Sequence, residues 1–281
     1  MQLKYKKAGI VAKPHDGVVF YLKQAVEILK RLKVEVVLEK IAAELIGVSS
    51  DITRDKIASH SDIIILIGGD GTFLSVATQA VEEQIPVGGF NLGTLGFLTE
   101  LNKDMMEEVL TEIFQGQANI SERKLLEVDF KGRKYIALND VVANKGNIAR
   151  IIQLHLEIDH EHVAVSSGDG LIISTPTGST AYSLASGGPI LTPGVNGIVI
   201  TPICPHSLTF RSFIVPANSK INVTVRTENT EVFMTVDGQK VVPMAYGEGF
   251  TVSLYRKSLK MIVAKKMNYF SLLNEKLNWG L

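Results

Sequence analysis

Two hydrophobic periods divide the chain. Over residues 8–116, short apolar runs alternate with segments whose apolar side chains recur every three or four positions. Ala8 to Ala12 reads as a short strand. Val19, Leu22, Val26 and Leu29 form one helical stripe that Asp16 is placed to cap, and Val34 to Leu38 is the next strand. Lys40 to Gly47 reads as helical, whereas Ser49 to Ser61 is polar and has no clear period. Ile63 to Ile67 is unbroken and β-branched except at Leu66, the pattern of a strand buried on both faces of a parallel sheet. Phe73, Val76, Ala77 and Ala80 then continue as a helix that Thr72 can cap. Val87 to Phe90 is a further strand, and Asn102 stands ahead of a helix carrying Met106, Val109, Leu110 and Ile113 to about Gly116.

From about residue 119 the period becomes two. Leu126 to Phe130 alternates, Lys131-Gly132-Arg133 turns, and Tyr135 to Leu138 resumes; Ile152 to Ile158 alternates again before a turn at Asp159 to His162 and a return strand at Val163 to Val165. Further runs are Ile198 to Thr201, Ile221 to Arg226, Val232 to Val236, Phe250 to Tyr255 and Met261 to Ala264. Asn268 to Trp279 reads as a terminal helix. The pattern predicts an α/β protein: an open parallel-sheet domain over residues 1–118, joined by residues 266–281 from the C-terminus, and a second, mostly β domain over 119–265.

Composition narrows the functional classes. At 281 residues with 46% hydrophobic and 21% charged, the chain has the make-up of a soluble globular protein with room for two cores. Its formal net charge of zero argues against nucleic acid as a partner, although Lys6-Lys7, Arg123-Lys124 and Lys265-Lys266 are local basic pairs. The single cysteine, Cys204, excludes an internal disulfide and a thiolate zinc site and reads as a small core residue of a protein kept reduced. No apolar run approaches the ~20 residues that cross a bilayer, and Met1 to Tyr5 is not a signal peptide, so a cytoplasmic location without membrane association is expected.

The chemistry concentrates in four places. Gly68-Gly69-Asp70-Gly71-Thr72 follows the buried strand, where a glycine-rich turn offers backbone N–H groups to phosphate. A carboxylate beside a bound anion needs a purpose, and Asp70 can bind a divalent ion, hold a sugar hydroxyl or take a proton during transfer. The loop lacks the Gly-Lys-Ser/Thr of a Walker motif and the third glycine of a Rossmann fingerprint. Asn91 to Leu98, with Gly93 and Gly96, suggests a second ligand-facing loop. Asn139-Asp140 reads first as an Asx turn, with groups able to meet a base edge and a ribose diol. Residues 166–189 are rich in glycine and small hydroxyl residues: Asp169 can hold a sugar or cationic ring, Thr180 to Ser183 can frame an adenine, and Tyr182 can stack. His155, His160 and His162 lack a third ligand type at metal spacing and read as solvated turn residues. Ser179 has no Gly-x-Ser-x-Gly context.

Together the 68–72 loop, the 91–98 loop, Asn139-Asp140 and Thr175-Pro-Thr-Gly-Ser-Thr-Ala-Tyr resemble the bacterial NAD kinases over most of the chain. The resemblance implies the NAD kinase/diacylglycerol kinase-like fold, homodimers or homotetramers, NAD and ATP as binding partners, and transfer of the ATP γ-phosphoryl, with Mg²⁺, to the 2′-hydroxyl of the adenosine ribose of NAD. It implies Asp70 as proton acceptor, with Gly68, Gly69, Gly71 and Thr72 as the phosphate loop. As NAD contacts it implies Asp70, Gly71, Asn139, Asp140, Arg150, Asp169, Thr180, Ala181, Tyr182, Ser183, Leu184, Ala185 and Gln239. Metal ligands, polyphosphate use and preference between NAD and NADH stay open. Ser75 and Ser167 stand where many relatives carry a basic residue. Two other readings are a lipid or sugar kinase sharing the diglycine loop and a non-catalytic NAD(P) sensor.

Overall fold

β-Branched side chains suit a strand covered on both faces, and Ile63–Ile67 is fully buried at every position. A computed structural model describes residues 3–93, 95–146, 150–228, 230–265 and 268–279. The chain divides into two compact units, residues 1–122 with 258–281 and residues 123–257.

The first unit contains β1 (Lys7–Ala12), α1 (Val18–Arg31), β2 (Glu35–Leu38), α2 (Lys40–Leu45), β3 (Ile63–Ile67), α3 (Asp70–Glu82), β4 (Val87–Asn91), β5 (Leu101–Asn102), α4 (Met106–Phe114) and β6 (Asn119–Arg123). The second contains β7 (Leu126–Phe130), β8 (Arg133–Ala137), β9 (Asp140–Lys145), β10 (Ile152–Ile158), β11 (Glu161–Gly168), β12 (Gly170–Ser174), α5 (Tyr182–Ala185), β13 (Gly197–Ile203), β14 (Phe213–Pro216), β15 (Ile221–Val225), β16 (Val232–Val236), β17 (Lys240–Met244) and β18 (Gly249–Leu254). The chain then returns to the first unit as β19 (Leu259–Val263) and α6 (Tyr269–Leu277).

In the first unit the strands run β2-β1-β3-β4-β19-β6, with β5 paired to β4. The pairings β1–β2, β1–β3, β3–β4 and β4–β19 are parallel. Strand order reverses between β1 and β3, so the loop after β3 leaves the sheet's carboxyl edge at the switch point, where open α/β sheets bind ligands. The apolar run at 261–264, expected in the β domain, belongs to this sheet. Its period resembles that of the antiparallel strands, but its side chains Leu259, Met261 and Ile262 are buried in unit 1, on the open side of β4. The cap of α1 also differs from expectation. α1 begins at Val18 behind Gly17 in the left-handed region (φ 78°), so Asp16 does not cap it, and Val18 rather than Val19 faces inward.

The second unit has two sheets, β11-β10-β15-β18-β7-β8 and β14-β13-β12-β9-β16-β17. One core joins Leu126, Val128, Leu154, Leu156, Val223 and Val252 to Val141, Ala143, Leu171, Ile173, Ile200 and Met234. The two-residue period along β9 therefore puts Val141 and Ala143 in the core and turns Asp140, Val142 and Asn144 to the opposite face. Residues 166–174, whose glycine and hydroxyl content is that of a turn-rich loop, are largely strand. Gly168 and Gly170 make that possible, because a side chain at either would overlap backbone of the neighbouring strands. Cys204 is exposed, not in the core, at a positive φ of 44° just past β13.

Candidate functional site

In the first unit the chain turns through Gly68 and Gly69 directly into α3, whose first residue is Asp70. Gly69 occupies the cap position in extended conformation and no side chain caps the helix, so Thr72 lies inside the first turn instead of at its cap. Thr72 Oγ1 is buried beside Gly68 without a hydrogen-bond partner. A 13-residue helix thus presents a first turn with no capping side chain at the sheet's carboxyl edge.

Asp70 serves the neighbouring loop. Its Oδ2 accepts the N–H of Phe97 at 3.0 Å, and its Oδ1 accepts the N–H of Leu98 at 3.0 Å, the N–H of Thr99 at 3.1 Å and the hydroxyl of Thr99 at 3.0 Å. Asn91 Nδ2 donates to Thr99 Oγ1 at 2.8 Å, and Asn91 Oδ1 accepts the N–H of Gly93 at 2.8 Å. Residues 97–99 thereby hold the carboxylate in one orientation; Thr94 of the expected 91–98 loop lies outside the described residues. Lys276 of α6 stands 5.9 Å from the Phe97 ring, which brings the C-terminal helix onto the same loop. Thr99 was not among the sequence candidates, since a lone threonine beyond a glycine loop carries no signal.

At Ser75 the first unit supplies a cation from elsewhere. Arg54 donates from one guanidinium nitrogen to Ser75 Oγ at 3.3 Å, pairs with the buried Glu39 at 2.8 Å, and reaches the carbonyl of Ala12 at 2.9 Å. Arg54 falls in the polar stretch whose structure the sequence pattern left open.

In the second unit a cavity of about 330 Å³ is lined by Asn139, Asp140, Val142, Asn144, Ala181, Tyr182, Thr235, Asp237 and Gly238. Asp237 accepts the N–H of Leu138 at 2.8 Å, of Asn139 at 2.7 Å and of Asp140 at 3.1 Å. Burial pushes the Asp140 carboxyl up to about 7, and the negative charge of Asp237 adds to that. Burial also raises Asp237, against the pull of its three N–H donors and of Lys240. The turn at 175–178 packs on the same segment: Thr175 Oγ1 donates to the Leu138 carbonyl at 2.6 Å, and Gly178 lies where any side chain would strike the Asn139 carbonyl.

The other sequence candidates of the second unit are not among the residues lining this cavity. Ser183 is fully buried, and its hydroxyl meets that of Thr201 on β13 at 2.9 Å. Thr180 Oγ1 donates to the Thr177 carbonyl at 3.2 Å, and Leu184 and Ala185 continue the short helix away from the lining. Asp169, just before β12, is paired with Lys145 at 2.7 Å. Gln239 follows Asp237-Gly238 in the β16–β17 turn, and Arg150 is exposed outside the cavity. The sequence candidates did not include Asp237 or Gly238; an Asp-Gly pair between two alternating runs reads first as a hairpin turn. His155 and His162 do meet, at 2.6 Å between ring nitrogens, yet no group of three or more His, Cys, Asp or Glu placed for a metal occurs among the described residues. Ser179 is buried and bonded to the Pro176 carbonyl and to Leu191.

A parallel sheet with a glycine turn and clamped aspartate, together with a β unit carrying a polar cavity, fits a two-domain phosphotransferase. Residues 8–118 match the family model for the ATP-NAD kinase N-terminal domain, and residues 138–264 match that for the C-terminal domain. The NAD kinase of Geotalea daltonii is 39% identical over 283 residues, covering 98% of this chain and 99% of the relative. The crystal structure of yeast NADH kinase complexed with NADH matches with a TM-score of 0.88 at 28% identity, over 98% of this chain and 88% of that one. An NAD kinase from Archaeoglobus fulgidus shares the fold, with a TM-score of 0.80 at 23% identity over 98% of this chain and 100% of that one. The chain belongs to the NAD kinase family.

Proposed function

We propose that this enzyme transfers the γ-phosphoryl of ATP to the 2′-hydroxyl of the adenosine ribose of NAD, with Asp70 as the proton acceptor. The observation that carries this reading is the Asp70 carboxylate, fixed by four donors at the start of α3. A ribose hydroxyl is a weak nucleophile, so the step depends on alignment and on removal of its proton as charge shifts. The bond between the γ-phosphorus and the bridging oxygen breaks as the new ester bond forms. ADP leaves, the proton passes to Asp70, and the product is NADP. Gly68, Gly69, Gly71 and Thr72 supply the phosphate-facing turn. Asn139, Asp140, Ala181 and Tyr182 supply the NAD cavity, with Asp169, Thr180, Ser183, Leu184, Ala185, Gln239 and Arg150 at or beyond its margin. A nicotinamide dinucleotide acceptor is supported by the NADH bound to the yeast relative.

Mg²⁺ is part of the same proposal, an ion usually carried on nucleotide phosphates and water with one or two carboxylates. Such an ion would neutralise charge on the phosphate oxygens. No described helix is long and apolar enough to cross a membrane. A cytoplasmic homodimer or homotetramer is part of the same proposal and is checked by light scattering.

The test is NADP formation from Mg-ATP and NAD by the wild type and by Asp70→Asn, with NAD binding measured on both. A loss of ~10² or more in turnover with binding retained is the expected result for a general base. A wild type that binds NAD and makes no NADP would overturn the reading in favour of a sensor.

A further inference from the structure

The backbone of residues 138–140 is unusually fully committed. All three N–H groups go to Asp237, while the carbonyls of Leu138 and Asn139 accept from Thr175 Oγ1 and the Thr175 N–H, and the Asp140 carbonyl accepts the Asp237 N–H at 3.0 Å. Left without Asp237, three adjacent amides at the head of β9 would lose their acceptor, and an unpaired buried N–H is costly. A hairpin-turn aspartate ordinarily bonds within its own turn. Asp237 instead sits at φ 51° with Gly238 at φ 64°, a geometry that aims its carboxylate across to a segment 97 to 99 positions away.

We infer that Asp237 is a positioning residue for NAD: by gripping the 138–140 backbone it sets the Asn139 and Asp140 side chains against the cavity. The role rests on the NAD kinase reading and concerns the acceptor alone. Asp237 also acts on Asp140 through charge. Lys240 on β17 acts on Asp237 by charge, and Tyr182 on α5 lines the same cavity. Asp140 accepts ribose hydroxyls as an anion, so NAD affinity rises with pH as Asp140 ionises, near 7 in the wild type.

The experiment measures kcat, both KM values and calorimetric NAD binding between pH 5 and 9 for the wild type, Asp237→Asn and Asp237→Ala, with the urea midpoint of each. Asp237→Asn keeps the shape, removes the charge and turns one acceptor into a donor. The expected result is an NAD KM at least ~10-fold higher, an ATP KM within about twofold, and an NAD-affinity transition moved to lower pH, since a neighbouring negative charge has gone. An unaltered NAD KM with an unmoved transition would overturn the inference, as would a fall in kcat alone. Hydrogen exchange on the wild type gives a reading that no folding defect can confound: slow exchange at Leu138 and Asn139, which precede the strand, supports the grip, and fast exchange refutes it. Should the wild type make no NADP, the kinase reading fails, while the binding titrations still decide the role of Asp237.

Discussion

Gly96 faces Asp70 so closely that a single methyl on Gly96 would overlap the Asp70 carboxylate and crowd Thr99 Oγ1. The proposed proton acceptor thus owes its orientation to a side chain that is absent 26 residues along the chain.

Gly96→Ala is expected to lower kcat by ~10² or more with little change in the amount of folded protein, because displacing a reacting group by about 1 Å is that costly. Steady-state turnover set beside a urea unfolding curve checks this. Near-normal turnover would show that the 96–99 loop yields instead of Asp70.

Gly178→Ala meets backbone, the carbonyl of Asn139, which cannot rotate away as a flexible side chain would. Stability should fall by about 1–3 kcal/mol, the usual cost of overpacking. NAD KM should rise while ATP KM holds, and an equal rise in both would separate this glycine from NAD recognition.

Arg54→Met strands Glu39, which is buried and relies on Arg54 at 2.8 Å. Removing one partner of such a pair costs about 3 kcal/mol, and adding Glu39→Gln should restore part of it. Denaturant midpoints for the single and double variants decide the matter; a silent single variant would mean that the pair is not formed in solution.

Asp140 predicts a stability profile. Its carboxyl titrates at about 7 in the folded chain against 3.8 as an ordinary side chain, so the folded state holds an extra proton between those values. Its contribution favours folding at low pH, falls as pH rises from about 4 to about 7, and is on the order of a few kcal/mol. In Asp140→Asn that slope should shrink in the urea midpoints, leaving the part that the raised Asp237 carboxyl contributes. A wild-type midpoint flat across the window would contradict the raised value.

Much of the frame was legible along the chain. The five-residue run ending at Gly68-Gly69, the helical stripe after Asp70 and the period-two segments are local patterns, and each produced its element. Cap positions were less legible: Asp16 and Thr72 have the right chemistry, yet a glycine takes the cap in both cases because the turn's backbone conformation chooses where the helix begins. The 166–174 stretch looked like loop since its glycines matched turn composition, whereas they allow neighbouring strands to approach.

The sequence by itself determined the strand-and-helix order of the first unit, the position of the glycine turn and its aspartate, and the motifs that mark the family, because periodicity and backbone-permissive residues act over a few positions. Only the tertiary structure decided that β19 joins the first sheet, that Arg54 reaches Ser75, that the 96–99 loop clamps Asp70, and that Asp237 grips the head of β9. Each of those depends on which edge or unpaired amide a distant segment finds within hydrogen-bond reach, and no local pattern records that.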